Sequence, residues 1–340
     1  MRSVPSVTKP EQSASPGRLI DLPAPVGEDL AAVEARLGDE IASREERLHD
    51  VARHLVGAGG KRVRPIVVLL VFHAVACAAG AKPRREDTIE AAVALELIHS
   101  ATLLHDDIID GGETRRGRPS ALSTFGVADT LVAGDFLFSR AFALCARFEP
   151  EVVRWAADAC VSLTEGEILQ GRFRHNPAVT MDDYLEIIHR KTASLFAAGG
   201  RTAAHLAGAS PALSDAMAEC GRHVGLAFQV SDDLLDVVGS PDATGKPCGI
   251  DLRDGNPSLP IVLALQSDQD LARLFADPHP GAADIQNGLA RIRRAGILSA
   301  VAERAASHVG AALAVLGRLP DSPYRAALAA LTRSLSDRVT

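Results

Sequence analysis

Two short acidic runs carry the residues best suited to chemistry. His105-Asp106-Asp107-Ile108-Ile109-Asp110 and Ser231-Asp232-Asp233-Leu234-Leu235-Asp236 share the pattern Asp-Asp-x-x-Asp. On a helix, positions i and i+4 share a face, so Asp106 points with Asp110 and Asp232 with Asp236. A solvated acidic helix end is the ordinary explanation of one such triplet. It fits poorly here, because each run closes a helical segment, where the dipole favours cations. Each also sits in apolar sequence, LLHDDIID and FQVSDDLLD. Carboxylates so placed need a cation, and oxygen ligands without cysteine suit a hard ion such as Mg²⁺. Mg²⁺ takes one or two carboxylates and completes its shell with water and phosphate. Two facing triplets would therefore hold a phosphorylated substrate between them.

Cationic groups lie close by in sequence. Gly59-Gly60-Lys61-Arg62-Val63-Arg64-Pro65 is a Gly-led turn carrying three cations into a helix. Arg115-Arg116-Gly117-Arg118 follows the first acidic run by one short loop, and Lys246 lies in the loop after the second. Guanidinium forks suit bidentate phosphate contacts, and lysine adds a point charge. Solvation of loops accounts for Arg62, Arg118 or Arg253 singly, and less well for the set. The turn is not a Walker A loop, whose spacing and trailing Lys-Ser/Thr are missing. Three further positions are odd for a core. Tyr184, Ile188, Lys191 and Leu195 form one stripe, which puts Lys191 on an apolar face. Gln229 shares a face with Asp232, Asp233 and Asp236, and the face of His99 runs through Leu103 into Asp106 and Asp110. A lone helical histidine is ordinarily structural, which covers His54, His73, His189 and His223.

The elements that must position these groups read as helix upon helix. Residues 28–54 carry Leu30, Val33, Leu37, Ile41 and Leu48 near helical spacing. Glycines at 57–60 end that segment, and Pro65 suits a helix start. Helices are expected over 88–110, 128–148, 152–173, 180–198 and 213–238, with loops at 111–119 and 239–260 and short helices from 261 to 339. Thr180-x-x-Asp183 has the form of a capping box. No fixed-period repeat and no strand–helix alternation is visible. Of 340 residues, 47% are hydrophobic but only 4% aromatic, which points to an aliphatic helical core. The net charge of −7 is the wrong sign for a general nucleic-acid binder. Five scattered cysteines without a Cys-x-x-Cys pair read as free thiols, the usage of a reducing cytoplasm. The apolar run at 66–79 contains His73 and is too short for a transmembrane segment. The first residues lack the apolar stretch of a signal peptide and read as a disordered tail over 1–25. One all-α domain over 26–340 is expected.

The blocks GGKRVRP, ELIHSATLLHDDIID, RRGRP, GDFLFSRAF, EGEILQ, RKTASLF, FQVSDDLLDVVG and GKPCGIDLRDG together resemble the trans-isoprenyl diphosphate synthases, the polyprenyl synthetase family, and most of all its medium- and long-chain members. The resemblance runs from about residue 57 to 260. It implies an all-α, single-domain bundle of the isoprenoid synthase type around a deep central cavity, usually a homodimer. It also implies head-to-tail condensation of isopentenyl diphosphate with an allylic diphosphate in a Mg²⁺-dependent ionisation, condensation and elimination. By that likeness Asp106, Asp107, Asp110, Asp232, Asp233 and Asp236 bind the metal. Arg115, Lys191 and Lys246 contact the allylic diphosphate, and Lys61, Arg64, His99 and Arg116 the isopentenyl diphosphate. Lys191, Thr192 and Gln229 are the catalytic set, the last two with dipoles near the developing carbocation. No protein nucleophile is required. Release of a long product implies transient membrane contact.

In the family the cavity floor lies just upstream of the first acidic run. Here those positions are the small Ala101 and Thr102, which implies a product of C25 or longer, with Phe136, Phe138 or Phe142 as a deeper floor. One departure stands out. The family usually reads Gly-Lys-x-Thr-Leu-Pro where this chain has Gly255-Asn256-Pro257-Ser258-Leu259-Pro260, so weaker allylic diphosphate binding or an altered product is expected. Rival readings are a geranylgeranyl diphosphate synthase, a terpene cyclase and a non-catalytic subunit of a heteromeric synthase. The complete second acidic run and GGKRVRP count against a cyclase, and retention of all six aspartates counts against an inactive subunit.

Overall fold

The computed structural model describes residues 20–79, 83–239 and 248–337. Residues 1–19 of the expected tail lie outside these, and helix α1 (Ala24–Glu40) begins with Pro25 in its first turn, where the missing N–H costs nothing. The segment expected as one helix over 28–54 is two, α1 and α2 (Glu46–Val56). Ser43 Oγ accepts the Glu45 N–H at 3.1 Å between them, a local bond that competes with the helical ladder.

Helix α3 (Val63–Ala79) is apolar on nearly every side, and Val67 to Phe72 are buried. A helix of that kind belongs at the centre of a bundle. It packs on α4 (Arg85–Ile109), which ends in the first acidic run. The loop expected at 111–119 contains a small antiparallel hairpin, β1 (Thr114–Arg115) with β2 (Arg118–Pro119). Helices α5 (Ala121–Phe125), α6 (Val127–Cys145) and α7 (Pro150–Phe173) follow. The capping box forms at α8 (Met181–Ile188), where Thr180 and Asp183 exchange side-chain-to-backbone bonds. The expected helix over 180–198 is interrupted by a π-helical turn, His189–Ala193, before α9 (Ser194–Leu206). Helix α10 (Pro211–Val238) carries the second acidic run. The loop expected at 239–260 contains α11 (Ile250–Asp254) and the first residues of α12 (Leu259–Leu265). Helices α13 (Gln269–Phe275), α14 (Ala282–Arg294), α15 (Leu298–Leu316) and α16 (Pro323–Asp337) complete the all-α domain.

The main core joins α3, α4, α9 and α10 with α1, α6 and α16, largely through Leu, Val, Ile and Ala. Each large aliphatic side chain buried there stabilises by about 1.5–3 kcal/mol, against comparable losses of chain entropy. A second cluster, with Tyr184, Val230, Leu234 and Leu259, backs the second acidic run. Among the described residues the five cysteines are free, and no helix is long and apolar enough to cross a membrane.

Candidate active site

A cavity of about 600 Å³ opens between the two acidic runs. Helices α4 and α10 supply Asp106 and Asp232, the α3 entry supplies Lys61 and Arg64, and the hairpin supplies Arg115 and Arg116. The π-turn adds Lys191 and Thr192, while Leu163, Leu195 and Phe228 give the interior its apolar wall. His99, Thr102 and Gln229 also face it. Eleven residues singled out in sequence thus share one cavity with a cationic side, an acidic side and an oily depth.

The cationic side is built rigidly. Arg62 is buried, with its Nε 2.6 Å from Glu34 and its Nη1 2.9 Å from Glu96. It pins the Gly-led turn, whose own backbone is left-handed at Arg62. Arg64 stacks over Phe196 at 4.8 Å, and its buried Nε has no hydrogen-bond partner among the described residues. A buried, unpaired guanidinium donor calls for an anion. Burial, with Arg64, Arg116 and Arg115 nearby, holds His99 well below the ordinary histidine value, so its imidazole is neutral.

The acidic side divides by partner. Burial pushes the Asp106 carboxyl up to about 7; Lys191 opposes this, and Glu167 and Asp110 add to it. The Lys191 Nζ is 4.0 Å from Asp106, pairs closely with Glu167 and donates to Gln170 at 2.7 Å. Burial opposes the charge of Lys191, yet Asp106 and Glu167 hold it above the ordinary lysine value. Asp107 is buried, is not part of the cavity lining and pairs with Arg115 at 2.6 Å. Asp110, at the C-cap of α4, pairs with Arg174.

The second run is divided in the same way. Asp232 faces the cavity. Asp233 is buried and accepts from Tyr184 Oη at 2.7 Å, Gln229 Nε2 at 2.8 Å and the Leu259 N–H at 2.9 Å. Burial pushes its carboxyl up to about 7 in spite of those donors. Asp236 accepts the N–H groups of Ile250 and Asp251, both at 3.1 Å, and so anchors the start of α11. Thr192 Oγ1 donates to Gln229 Oε1 at 2.8 Å, which links the cavity wall through Gln229 to Asp233.

Of the two chain-length positions, Thr102 lines the cavity and Ala101 is fully buried in the core beside it. Lys246 lies outside the described residues. Asn256 does not line the cavity; its Oδ1 accepts from Arg174 Nε at 3.1 Å. Glu167, Gln170, Tyr184 and Arg174 were given no role from sequence. The EGEILQ block and the stripe through Tyr184 and Lys191 were the signals for the first three. For Arg174 there was none.

The donor set suits a hard divalent cation, because Asp106 and Asp232 offer carboxylate oxygens to one cavity. Asp106 is in addition a crowded carboxyl that a cation would relieve. Among the described residues no three carboxylate, histidine or cysteine side chains converge as a ready-made metal cage.

Comparison with known proteins agrees with this chemistry. The model of the polyprenyl synthetase family matches residues 45–287. The chain is 37% identical over 325 residues to an all-trans-nonaprenyl-diphosphate synthase (geranyl-diphosphate specific) of Rhodobacter capsulatus, covering 94% of this chain and 98% of that one. It is 33% identical over 309 residues to octaprenyl diphosphate synthase of Escherichia coli, covering 89% and 94%. Among solved structures, a Caulobacter crescentus polyprenyl synthase complexed with calcium and isoprenyl diphosphate superposes with a TM-score of 0.88 at 34% identity. That match spans 97% of this chain and all of that one.

Proposed function

Because the chain belongs to the polyprenyl synthetase family, we propose that its cavity condenses isopentenyl diphosphate with an allylic diphosphate, head to tail, to give an all-trans polyprenyl diphosphate of C25 or longer. The observation that carries this is the facing of Asp106 and Asp232 across a cationic rim and above an apolar interior. Relatives named for octaprenyl and nonaprenyl products support the long chain, as does the small Thr102 on the cavity wall.

The residues take distinct parts. Lys61, Arg64 and Arg116, with neutral His99, bind the isopentenyl diphosphate. Arg115 and Lys191 bind the allylic diphosphate, and Lys246 has the same proposed role. Asp106 and Asp232 would hold Mg²⁺, with Asp110 as a further ligand; Asp107, Asp233 and Asp236 support the site through their protein partners. Mg²⁺, when bound, would offset the charge of the departing pyrophosphate. Leu163, Leu195 and Phe228 keep water from the allylic carbon. Thr192 donates its hydroxyl hydrogen bond to Gln229, which leaves its oxygen lone pairs available to a developing positive charge. The isopentenyl double bond is itself the nucleophile, and the proton lost after C–C bond formation passes to pyrophosphate, so neither a protein nucleophile nor a protein base is needed.

We further infer a homodimer in the cytoplasm, with no nucleic-acid partner and transient membrane contact at product release. The dimer is supported by an exposed apolar surface that includes Val127, Leu131 and Val132 on α6 and Val161 and Ile168 on α7. Asp106→Asn and Asp232→Asn, assayed with Mg²⁺, isopentenyl diphosphate and an allylic primer, are each expected to lower turnover by about 10²–10³-fold. Retention of full turnover by both variants would remove the basis of the metal assignment.

A further inference from the structure

Arg174 ties an acidic-run residue, Asp110, to Asn256, which lies outside the cavity lining. It follows the last turn of α7 and meets two other elements there. Its guanidinium pairs with Asp110 at the end of α4, donates to the Ile109 carbonyl at 3.3 Å, and donates through Nε to Asn256 at 3.1 Å. Residues 109–110, 174 and 256 lie far apart in the chain, so their meeting is a product of the fold.

The surrounding backbone is built to keep them together. His175 adopts a left-handed φ of 55°, uncommon for a residue with a side chain, and its N–H donates to the Gly255 carbonyl at 3.0 Å. Gly255 is also left-handed, with φ of 65°. A Cβ there would lie 2.3 Å from His175 Nδ1, so only glycine allows the approach. The Asn256 N–H donates to the Asp251 carbonyl at 2.8 Å and fixes the amide that faces Arg174. Asp110 itself sits at a helix C-terminus, where a carboxylate is disfavoured unless a cation neutralises it. Arg174 is that cation.

Resting on the function proposed above, we propose that Arg174, braced by Asn256, is a positioning residue: it is the resident counter-cation of Asp110 and competes with the incoming divalent metal for that carboxylate. When Asp110 turns to the metal, the freed guanidinium remains held by Asn256 beside the end of α4, a donor for the diphosphate that arrives with the metal. Asn256, uncharged, suits this role because it braces Arg174 without taking over its charge. Removing Arg174 therefore has two opposite effects, tighter binding of the bare metal and weaker binding of the diphosphate.

The test is titration calorimetry on the full chain, with Mg²⁺ alone and then with inorganic pyrophosphate in saturating Mg²⁺. Arg174→Gln is expected to tighten Mg²⁺ about three- to tenfold and to weaken pyrophosphate by a similar factor, the scale of one partly exposed ion pair. Asn256→Ala should shift both in the same directions by less, and it leaves the ion pair in place if Arg174→Gln fails to fold. In an Asp110→Asn background, Arg174→Gln should no longer change Mg²⁺ affinity. Unchanged or weaker Mg²⁺ binding by Arg174→Gln, or an effect that persists without Asp110, would overturn the proposal. Those outcomes leave the prenyl-transfer reading standing, since that reading is tested separately, by whether isopentenyl diphosphate and an allylic primer are elongated at all.

Discussion

The π-turn that carries Lys191 and Thr192 rests against α7 at Gly166, and a single methyl group there tests whether its placement matters. A Cβ at 166 would lie 2.5 Å from Lys191 N, 2.8 Å from Arg190 Cβ and 3.0 Å from Lys191 Cα. Two of these are backbone atoms, which cannot rotate away. Ordinary contact begins near 3.4 Å, so Gly166→Ala must part α7 from the π-turn by about 1 Å in a close-packed interior. The same helix carries Glu167 and Gln170, which hold Lys191, and the same turn carries Thr192, which bonds Gln229. Overpacking of this kind costs about 1–3 kcal/mol of stability, and misplacing a reacting group by about 1 Å costs about 10²-fold in rate. Initial rates of isopentenyl diphosphate incorporation, with a thermal melt of the same sample, read both quantities. Gly171 on the same helix is the control, because a Cβ there meets nothing within 4 Å. Gly171→Ala should leave the rate unchanged and gain up to about 1 kcal/mol from helix propensity. Unaltered rate and melting in Gly166→Ala, or an equal rate loss in Gly171→Ala, would refute the reasoning.

Two further expectations concern stability and assembly. Burial alone would raise the Asp29 carboxyl, but hydrogen bonds from His73 and Arg85, and their charges, hold it below the ordinary value. A depressed folded-state pKa gives stability that is present above the unfolded value of about 4 and lost as pH falls through the folded one. Asp29→Asn should therefore lower the melting temperature at pH 7 and flatten its decline below about pH 4; an unchanged acid slope would contradict this. Ile168 is 68% exposed on α7, so with the proposed dimer built on that surface Ile168→Asp should shift sedimentation from dimer to monomer in analytical ultracentrifugation with little change in helicity. A dimer that persists unweakened would place the interface elsewhere.

Much of the site is legible in sequence because its elements are helical and locally coded. The i, i+4 relation correctly brings the face through His99 and Leu103 to Asp106, and the capping box fixes the start of α8. Where the reading stops, the cause is tertiary. Asp233 and Asp236 look like their cavity-facing neighbour Asp232 in sequence, yet Tyr184, Leu259 and residues 250–251 reach them from distant parts of the chain. Apolar spacing through Tyr184, Ile188, Lys191 and Leu195 reads as one helix, because a single π-turn shifts the register by only one residue. The break between α1 and α2 is hidden for a similar reason: the apolar period resumes on the far side, and only Ser43 marks the gap. Arg174 has no signal at all, since its partners at 110 and 256 are close only in the folded chain.

The most direct measurement is the length and metal dependence of the product. Purified protein is incubated with labelled isopentenyl diphosphate and geranyl, farnesyl or geranylgeranyl diphosphate, and the chains are sized after dephosphorylation. All-trans chains of C25 or longer should form with Mg²⁺ and disappear when it is chelated. Hydrocarbon without elongation, chains that end at C20, or elongation unaffected by chelation would each contradict a metal-dependent long-chain synthase.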